Sequence, residues 1–354
     1  MVSLLFYLSI FLVIFIISYI GSIFYKKNKK IGNFIIILSF LVMLIILGFR
    51  YKVGTDYETY LTYYNTIKLS SWSNLFLLKW EKGALVFFKL VSMLFNKPYI
   101  IFIIISFLQL YPIYKMNKLY EFKYLPYSLL CFLTLYMPFF MNGMRQGIAM
   151  SFSLYSFSLL MHKNYKKSFF AILIGILFHK TALLLLPFII LYIFIKNKNY
   201  SKCSFILSIF LSIIILFFLK DFFIENDIST YSSYLDDINV SKISIKPILW
   251  YIPSIIIIFL FGKKDIIFRN YNGLFLSGVL FNIIGTSAHY LNRISYYFNF
   301  FEIILIPYLI CNIKDEKSKK IVKLIYIIYL IIYFIYQFYI SGKNEIFPYK
   351  IINF

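Results

Sequence analysis

The chain has 354 residues, of which 61% are hydrophobic and only 14% are charged, and its net charge is +22. Soluble domains are about half apolar and about a quarter charged, so this composition excludes a soluble globular protein and indicates a polytopic membrane protein. The basic excess does not indicate nucleic-acid binding, because the lysines lie in short clusters between apolar runs, as the positive-inside rule predicts. The three cysteines have no CxxC spacing, so we infer neither a disulfide nor a metal site.

The first 97 residues predict two spans followed by a polar outer segment. The first span, Val2–Tyr25, ends at a lysine cluster within residues 26–30, which we place in the cytoplasm. The second span, Ile31–Gly48, emerges on the outer side and leads into the outer segment, residues 50–97. Within that segment the apolar run Ala84–Phe95 is too short to cross, so we expect a short interfacial or re-entrant helix.

The remaining apolar runs alternate with lysine clusters and predict further crossings. With the first two spans, the chain is predicted to cross the membrane twelve times. They are Tyr99–Tyr114, Leu125–Phe140, the run between Arg145 and Lys163, a hairpin of Ser168–Phe178 and Thr181–Ile195 that turns at His179-Lys180, Ser204–Leu219, Ile248–Phe261, Gly273–Thr286, Arg293–Ile310 and Leu324–Ile340. A second polar outer loop covers residues 220–246. The predicted fold is therefore all-α: one multi-pass membrane domain over residues 1–354, with about twelve transmembrane helices.

This topology places most ionisable residues outside the lysine clusters at the outer ends of helices, although only the lysine clusters were used to set the topology. For any one of them, a solvated loop charge is an equally good explanation. Their convergence favours a shared site on the outer face. The residues are Arg50, Asp56, Glu81, Arg145, His179, His289 and Arg293.

The stretch from Phe140 to Met150 is the strongest single candidate, because it places Arg145 and Gln146 between two apolar runs. A charge at membrane depth is costly and is commonly functional. A helix that starts near Asn142 or Gly143 would direct free N–H groups at an anion, and the planar fork of an arginine suits phosphate. The alternative is a helix-end arginine that only satisfies backbone carbonyls.

Other candidates lie at the same predicted depth. His289, Arg293 and Tyr297 follow each other at four-residue spacing, so they share one helix face and could form a second basic, hydrogen-bonding site. His179 could act as an acid or base, bind phosphate, or simply cap a helix. Asp56 and Glu81 are outer-side carboxylates, and either could be the general base for a sugar hydroxyl.

Absent motifs exclude other classes. The chain has no Walker loop, so it is not expected to be an ATPase, and it has no HExxH or His/Cys cluster, so we expect no metal and no cofactor. Only Glu302 could place an acidic group deep in a span, which disfavours an ion-coupled transporter.

Five blocks in the chain resemble the EpsG family, the Wzy-like polymerases of bacterial exopolysaccharide and capsule. They are GFRYKVGTDYETY at residues 48–60, Glu81-Lys82-Gly83, MRQGIA at residues 144–149, FHKTAL at residues 178–183 with Pro187, and RISYYF at residues 293–298 with Pro307. Two positions depart from the pattern: Ala84, where an aromatic is expected after the glycine, and Thr181, where serine is commoner. The part of the chain after Pro307 shows no resemblance.

The resemblance implies a glycosyltransferase in the bacterial inner (cytoplasmic) membrane, active on its outer side. It would polymerise undecaprenyl-diphosphate-linked oligosaccharide into exopolysaccharide, capsule or O-antigen, alongside a flippase and a chain-length regulator. Arg145 and Arg293 would hold the diphosphate, with Arg50, Gln146, His289 and Tyr297 as further binding residues, and His179, Asp56 or Glu81 would be the base. The competing hypotheses are a lipid-linked oligosaccharide flippase or other transporter, a membrane O-acyltransferase of surface glycans that uses His179, and a non-catalytic scaffold.

Overall fold

A computed structural model describes residues 2–195, 199–217, 243–262, 266–287 and 289–352. Within these ranges the regular elements are helices, and β pairing is limited to one isolated bridge between Arg50 and Ile351. The predicted all-α class is therefore confirmed. The chain forms two compact units, residues 1–180 with 324–354 and residues 181–323. The single domain over residues 1–354 stays a prediction.

The first unit contains one fully buried helix. Residues 125–142 run without a break through α7, a π-helical turn (Phe132–Tyr136) and α8, and they are enclosed by the rest of the protein. Around them, α1 packs on α2 and α7, α6 packs on α2 and α9, and α10 packs on α9 and α5. The helices are α1 (Val2–Lys27), α2 (Lys29–Gly48), α3 (Tyr57–Leu69), α4 (Trp72–Leu75), α5 (Lys82–Leu94), α6 (Ile100–Leu119), α7 (Leu125–Cys131), α8 (Met137–Asn142), α9 (Met144–Met161) and α10 (Tyr165–Phe178).

Local sequence signals set several helix ends in this unit. The side-chain oxygen of Asn28 accepts hydrogen bonds from the N–H groups of Lys30 and Ile31, which caps the start of α2. Lys89 lies in the middle of the apolar α5, and its ammonium donates to the carbonyls of Ile67, Lys68 and Ser70. It therefore caps the end of α3, where carbonyls lack helical partners. Helix α3 itself lies in the outer segment, for which only a polar loop was expected before Ala84.

The two ends of the first unit keep the predicted alternation. At one end Arg50 follows α2, and it donates to the carbonyl of Met141 at the end of α8. At the other end Asn33 of α2 accepts a hydrogen bond from Tyr114 of α6, 2.6 Å long, and Lys29 pairs with Glu121. Which end faces outward stays a prediction.

Residues 343–352 pack at the Arg50 end of the first unit. The N–H of Gly54 donates to the carbonyl of Glu345, and the N–H of Tyr51 donates to the carbonyl of Lys350. The hydroxyl of Tyr349 donates to the carbonyl of Ile46 at a distance of 3.0 Å. We call residues 343–352 the C-terminal strap. It follows α17 (Glu316–Phe334) and a π-helical turn, Ile335–Ile340.

The second unit is a smaller helical group in which α14 contacts α12, α15 and α16, and α13 packs on α16. Its helices are α11 (Leu186–Ile195), α12 (Tyr200–Phe217), α13 (Ile248–Phe261), α14 (Ile266–Ile284), α15 (His289–Asn299) and α16 (Glu302–Cys311). The predicted span Arg293–Ile310 corresponds to α15 and α16, which are joined by a turn at Phe300 and Phe301. Most of the predicted outer loop, residues 220–246, lies outside the described residues.

Six helices in the described ranges are long and apolar enough to cross a membrane: Val2–Lys27, Lys29–Gly48, Ile100–Leu119, Leu125–Asn142, Asn292–Cys311 and Glu316–Ile340. Shorter apolar helices at Lys180–Ile195, Tyr200–Ile214 and Ile248–Phe261 coincide with three other predicted spans. The six helices fit a membrane protein, and the total of about twelve crossings stays a prediction.

Candidate functional site

The break between α8 and α9 positions Arg145. Gly143 has a non-helical backbone (φ −71°, ψ 56°), so α9 begins at Met144, close to the predicted start. The side-chain amide of Gln109 donates to the carbonyls of Phe140 and Met144, each at a distance of 3.0 Å. It thereby satisfies backbone groups on both sides of the break. Gly147 fits against this amide, because a Cβ there would come within 2.7 Å of the Gln109 nitrogen. The small residues of α9 therefore admit a neighbouring helix.

Arg145 is held on three sides. Its Nη1 donates to Oε2 of Glu81 in an ion pair, its guanidinium lies over the ring of Trp80 at 4.2 Å, and its backbone N–H donates to the hydroxyl of Tyr60. The side chain is 19% exposed, so the site opens to the surroundings. The Nε atom is buried and has no hydrogen-bond partner among the described residues. A guanidinium with an unused donor is suited to an anion that offers several oxygens.

Glu81 connects Arg145 to the turn after α10. Its Oε1 accepts a hydrogen bond from the backbone N–H of Lys180 at a distance of 3.3 Å. Gly83 allows this approach, because a Cβ there would lie 2.6 Å from the carbonyl oxygen of Leu177. The structure thus brings together Glu81, Arg145 and the His179-Lys180 turn. His179 ends α10 in an extended conformation and is half-buried.

An aromatic group supports the arginine. Trp80 stacks on Tyr63 with ring centroids 4.2 Å apart and an interplanar angle of 3°, and Tyr60 packs at 5.2 Å from Trp80. Burial raises the pKa of the Tyr60 hydroxyl, so it stays neutral and can accept the Arg145 N–H. Sequence reasoning missed Trp80 and Tyr60, because aromatic residues are 22% of the chain and carry no signal individually.

Arg50 occupies a different environment from Arg145. It is 1% exposed, and its guanidinium donates to the carbonyls of Leu47, Val53 and Met141. Burial lowers the pKa of Arg50 to about 10, so it remains a cation at neutral pH. Its charge faces Phe102, whose ring centroid is 5.0 Å away. This arrangement fits a structural residue better than the predicted substrate ligand.

Asn142 and Asp56 lie beside these residues. The side-chain oxygen of Asn142 accepts from the hydroxyl of Thr55 at 3.1 Å and from the N–H of Asp56 at 3.3 Å, while its nitrogen donates to the carbonyls of Pro138 and Asn344. Asp56 is half-buried, and its carboxylate accepts from Thr55. No Lys, Arg or His among the described residues forms an ion pair with it. Within the described residues, Asp56 is therefore a carboxylate without a neutralising cation.

The remaining predicted residues divide between the units. Gln146 is buried in the first unit, 3% exposed. In the second unit, Arg293 is half-buried on α15, and the hydroxyl of Tyr297 accepts from that of Thr181 at 2.9 Å. The side chain of His289 lies outside the described residues.

The described residues contain no group of three or more His, Cys, Asp or Glu side chains that could hold a metal ion. A buried pair that the sequence did not predict joins Ser254 to Glu302, with the serine hydroxyl as donor. Glu302 is 1% exposed and lies at the first position of α16.

Comparison with known proteins gives one match. The model of the EpsG family matches residues 33–351. The match confirms the resemblance at residues 48–307 and corrects its extent, since the part after Pro307, including the C-terminal strap, also belongs to it. No curated protein and no solved structure matches the chain significantly.

Proposed function

Because the chain belongs to the EpsG family and is thus a membrane protein of polysaccharide biosynthesis, we propose that it is a glycosyltransferase that polymerises lipid-linked oligosaccharide. Its donor would be a growing glycan on undecaprenyl diphosphate, and its acceptor the terminal sugar of another lipid-linked repeat unit. The product would be an exopolysaccharide, a capsule or an O-antigen. The site would face outward from a bacterial cytoplasmic membrane, where a flippase would deliver the substrate and a chain-length regulator would act.

The observation that carries this proposal is the setting of Arg145. A partly exposed guanidinium with an unused buried donor lies where the enclosed helix 125–142 ends. Negative charge grows on the diphosphate as it leaves the sugar, and a fixed cation stabilises that charge more in the transition state than in the ground state. A lipid carrier also explains why a phosphate site belongs at the end of a membrane helix.

Asp56 is the best-placed general base of the three candidates. Glu81 is paired with Arg145, whereas Asp56 has no ion-pair partner among the described residues and lies one helical turn before Tyr60, which contacts Arg145. The acceptor hydroxyl would give its proton to Asp56 while its oxygen bonds to the anomeric carbon of the donor. The bond from that carbon to the diphosphate oxygen would break, and the lipid diphosphate would leave with the electron pair.

Arg293 is proposed as a second phosphate ligand. It lies on α15, one turn before Tyr297, and the two are followed by the buried residues Phe298 and Phe301. The polar face of this helix would meet the diphosphate or the glycan, with His289 and Tyr297 as its other members. Gln146, next to Arg145, would act with the first arginine.

The test uses purified protein and its lipid-linked repeat unit, with the products resolved by size. A ladder of products is expected from the wild type, and unextended substrate is expected from Arg145→Ala and Arg293→Ala. In cells, both variants should insert normally while single lipid-linked repeats accumulate. If the wild type leaves the substrate unextended in vitro, the polymerase assignment is wrong, and a transporter or scaffold is favoured.

A further inference from the structure

We propose that the Glu81 carboxylate is an internal stand-in for the substrate, so that its two oxygens mark where two phosphate oxygens bind. This inference rests on the proposed function, and it assigns the ligand class of the Arg145 site as a diphosphate ester. It also adds one protein group that no motif indicates, the backbone N–H of Lys180.

The convergence of donors on Glu81 carries the inference. One carboxylate oxygen accepts from the Arg145 guanidinium, and the other accepts from the Lys180 N–H, which belongs to a different element. A cation and a backbone N–H that meet on one anion form a common arrangement for binding phosphate. The Glu81 carboxylate belongs to the protein itself. The position that it occupies between these two donors is therefore a site that a bound anion could take.

The unused donor indicates a larger anion than a carboxylate. Arg145 Nε is buried and has no partner among the described residues while Glu81 engages Nη1. A carboxylate has two oxygens, and here the second is used by Lys180. A diphosphate that is esterified at both ends offers two terminal oxygens on each phosphorus, four in all, so it could bind Nε, Nη1 and the Lys180 N–H together.

Glu81 also explains how the protein stabilises a mostly buried Arg145. A mostly buried guanidinium without an anion is strongly unfavourable, and the glutamate neutralises it until the substrate arrives. Glu81 immediately precedes α5 and has an extended backbone (φ −59°, ψ 135°), so its side chain can change rotamer without changing the helix. When the diphosphate enters, the carboxylate leaves the guanidinium.

The experiment measures binding of inorganic pyrophosphate to the purified full-length protein in detergent, by calorimetry. Glu81→Gln should bind pyrophosphate about tenfold more tightly than the wild type. The glutamine carries no negative charge that competes with pyrophosphate for Arg145, and loss of one such charge changes affinity by about this factor. Arg145→Gln should lose the binding. Lys180→Pro, which lacks the N–H, should weaken it, whereas Lys180→Ala keeps the N–H and should bind within about twofold of the wild type.

Each outcome has a defined meaning. Equal or weaker binding by Glu81→Gln would overturn the inference, since the glutamate would then orient Arg145 and not replace the ligand. If that variant fails while the wild type still produces a polymer ladder, the proposed function stands without this inference. Binding that survives in Arg145→Gln would show that pyrophosphate binds to surface lysines, and it would also overturn the inference. Monodisperse elution of every variant excludes misfolding.

Discussion

Arg50 and Arg145 show that two arginines beside the same helix ends can have opposite roles. Arg50 is buried, and its donors go to carbonyls of its own chain, as expected for a helix-end arginine. Arg145 is partly exposed, pairs with a carboxylate and keeps an unused donor. The first arginine binds backbone carbonyls, and the second is the one we propose as a ligand for phosphate.

Arg50→Lys should destabilise the protein. The single ammonium of a lysine cannot occupy the separate positions of Nε, Nη1 and Nη2 of Arg50, so at least one carbonyl would lose its partner at a cost of about 1–3 kcal/mol. We expect a lower midpoint of thermal unfolding in detergent, measured by loss of the monodisperse peak. Arg145→Lys is the matched control and should unfold near the wild-type temperature while it loses polymerisation. Equal unfolding midpoints for the wild type and Arg50→Lys would contradict the structural role.

Asp56→Asn tests the choice of base. Asparagine keeps the backbone N–H that donates to Asn142, but it cannot accept a proton, so the polymerisation rate should fall by about 10²–10⁴-fold. The rate is measured from ladder formation in vitro, and pyrophosphate binding should be unchanged. Glu58→Gln, two residues later in the first turn of α3 and paired with Lys52 at the surface, is the control. A wild-type rate in Asp56→Asn would leave His179 as the candidate.

At the scale of elements, α3 and α5 form the support for the aromatic group. Tyr60 and Tyr63 are on α3, and Trp80 lies just before α5, so the spacing between these two helices sets the position of the ring beneath Arg145. Lys89 fixes that spacing, because its ammonium on α5 binds three carbonyls at the end of α3.

Lys89→Met should loosen α3. The methionine retains the apolar stem, so the expected cost is that of the lost carbonyl partners, about 1–3 kcal/mol. Hydrogen exchange should increase in residues 57–70, and polymerisation should decrease as Trp80 shifts. Lys79→Met removes an exposed lysine of the same segment and is expected to change neither hydrogen exchange nor polymerisation. Unaltered exchange in Lys89→Met would show that packing alone holds α3.

Much of this architecture follows from local sequence signals, but the pairings do not. The apolar runs and lysine clusters predicted most helices, the turn at His179-Lys180 and the start of α9 near Asn142. The Glu81–Arg145 pair joins residues 64 positions apart and depends on how α5, α9 and α10 pack. The sequence carried no signal of the role of Lys89, since its partners are backbone carbonyls, and every residue type carries one.

At the scale of the molecule, Asn142 connects distant parts of the first unit. Its amide bonds to Thr55 and Asp56 near the candidate base, to Pro138 in the enclosed helix, and to Asn344 in the C-terminal strap. The position of Arg145, three residues later, is therefore linked to both the outer segment and the strap.

Asn142→Ala should loosen the contacts of α8 with the segment after Arg50 and with the C-terminal strap. The four hydrogen bonds of the amide would be lost, so hydrogen exchange should rise both in residues 50–57 and in residues 343–352. Asn33→Ala is the matched control: it removes a single hydrogen bond between α2 and α6, about 20 Å along α2 from the strap. An increase confined to residues 50–57 would show that the strap is held independently of Asn142.

The bond between Asn142 and Asn344 has a consequence for biosynthesis. The two residues are 202 positions apart, so the ribosome adds the second long after the first has entered the membrane. Until then, Asn142 and the segment after Arg50 lack the backbone partners that the strap supplies. A nascent or truncated chain that lacks the strap cannot complete the hydrogen bonds of Asn142, Tyr51 and Gly54. The hydrogen bonding that joins the end of α8 to the segment after Arg50 is thereby completed only after Asn344 has been added.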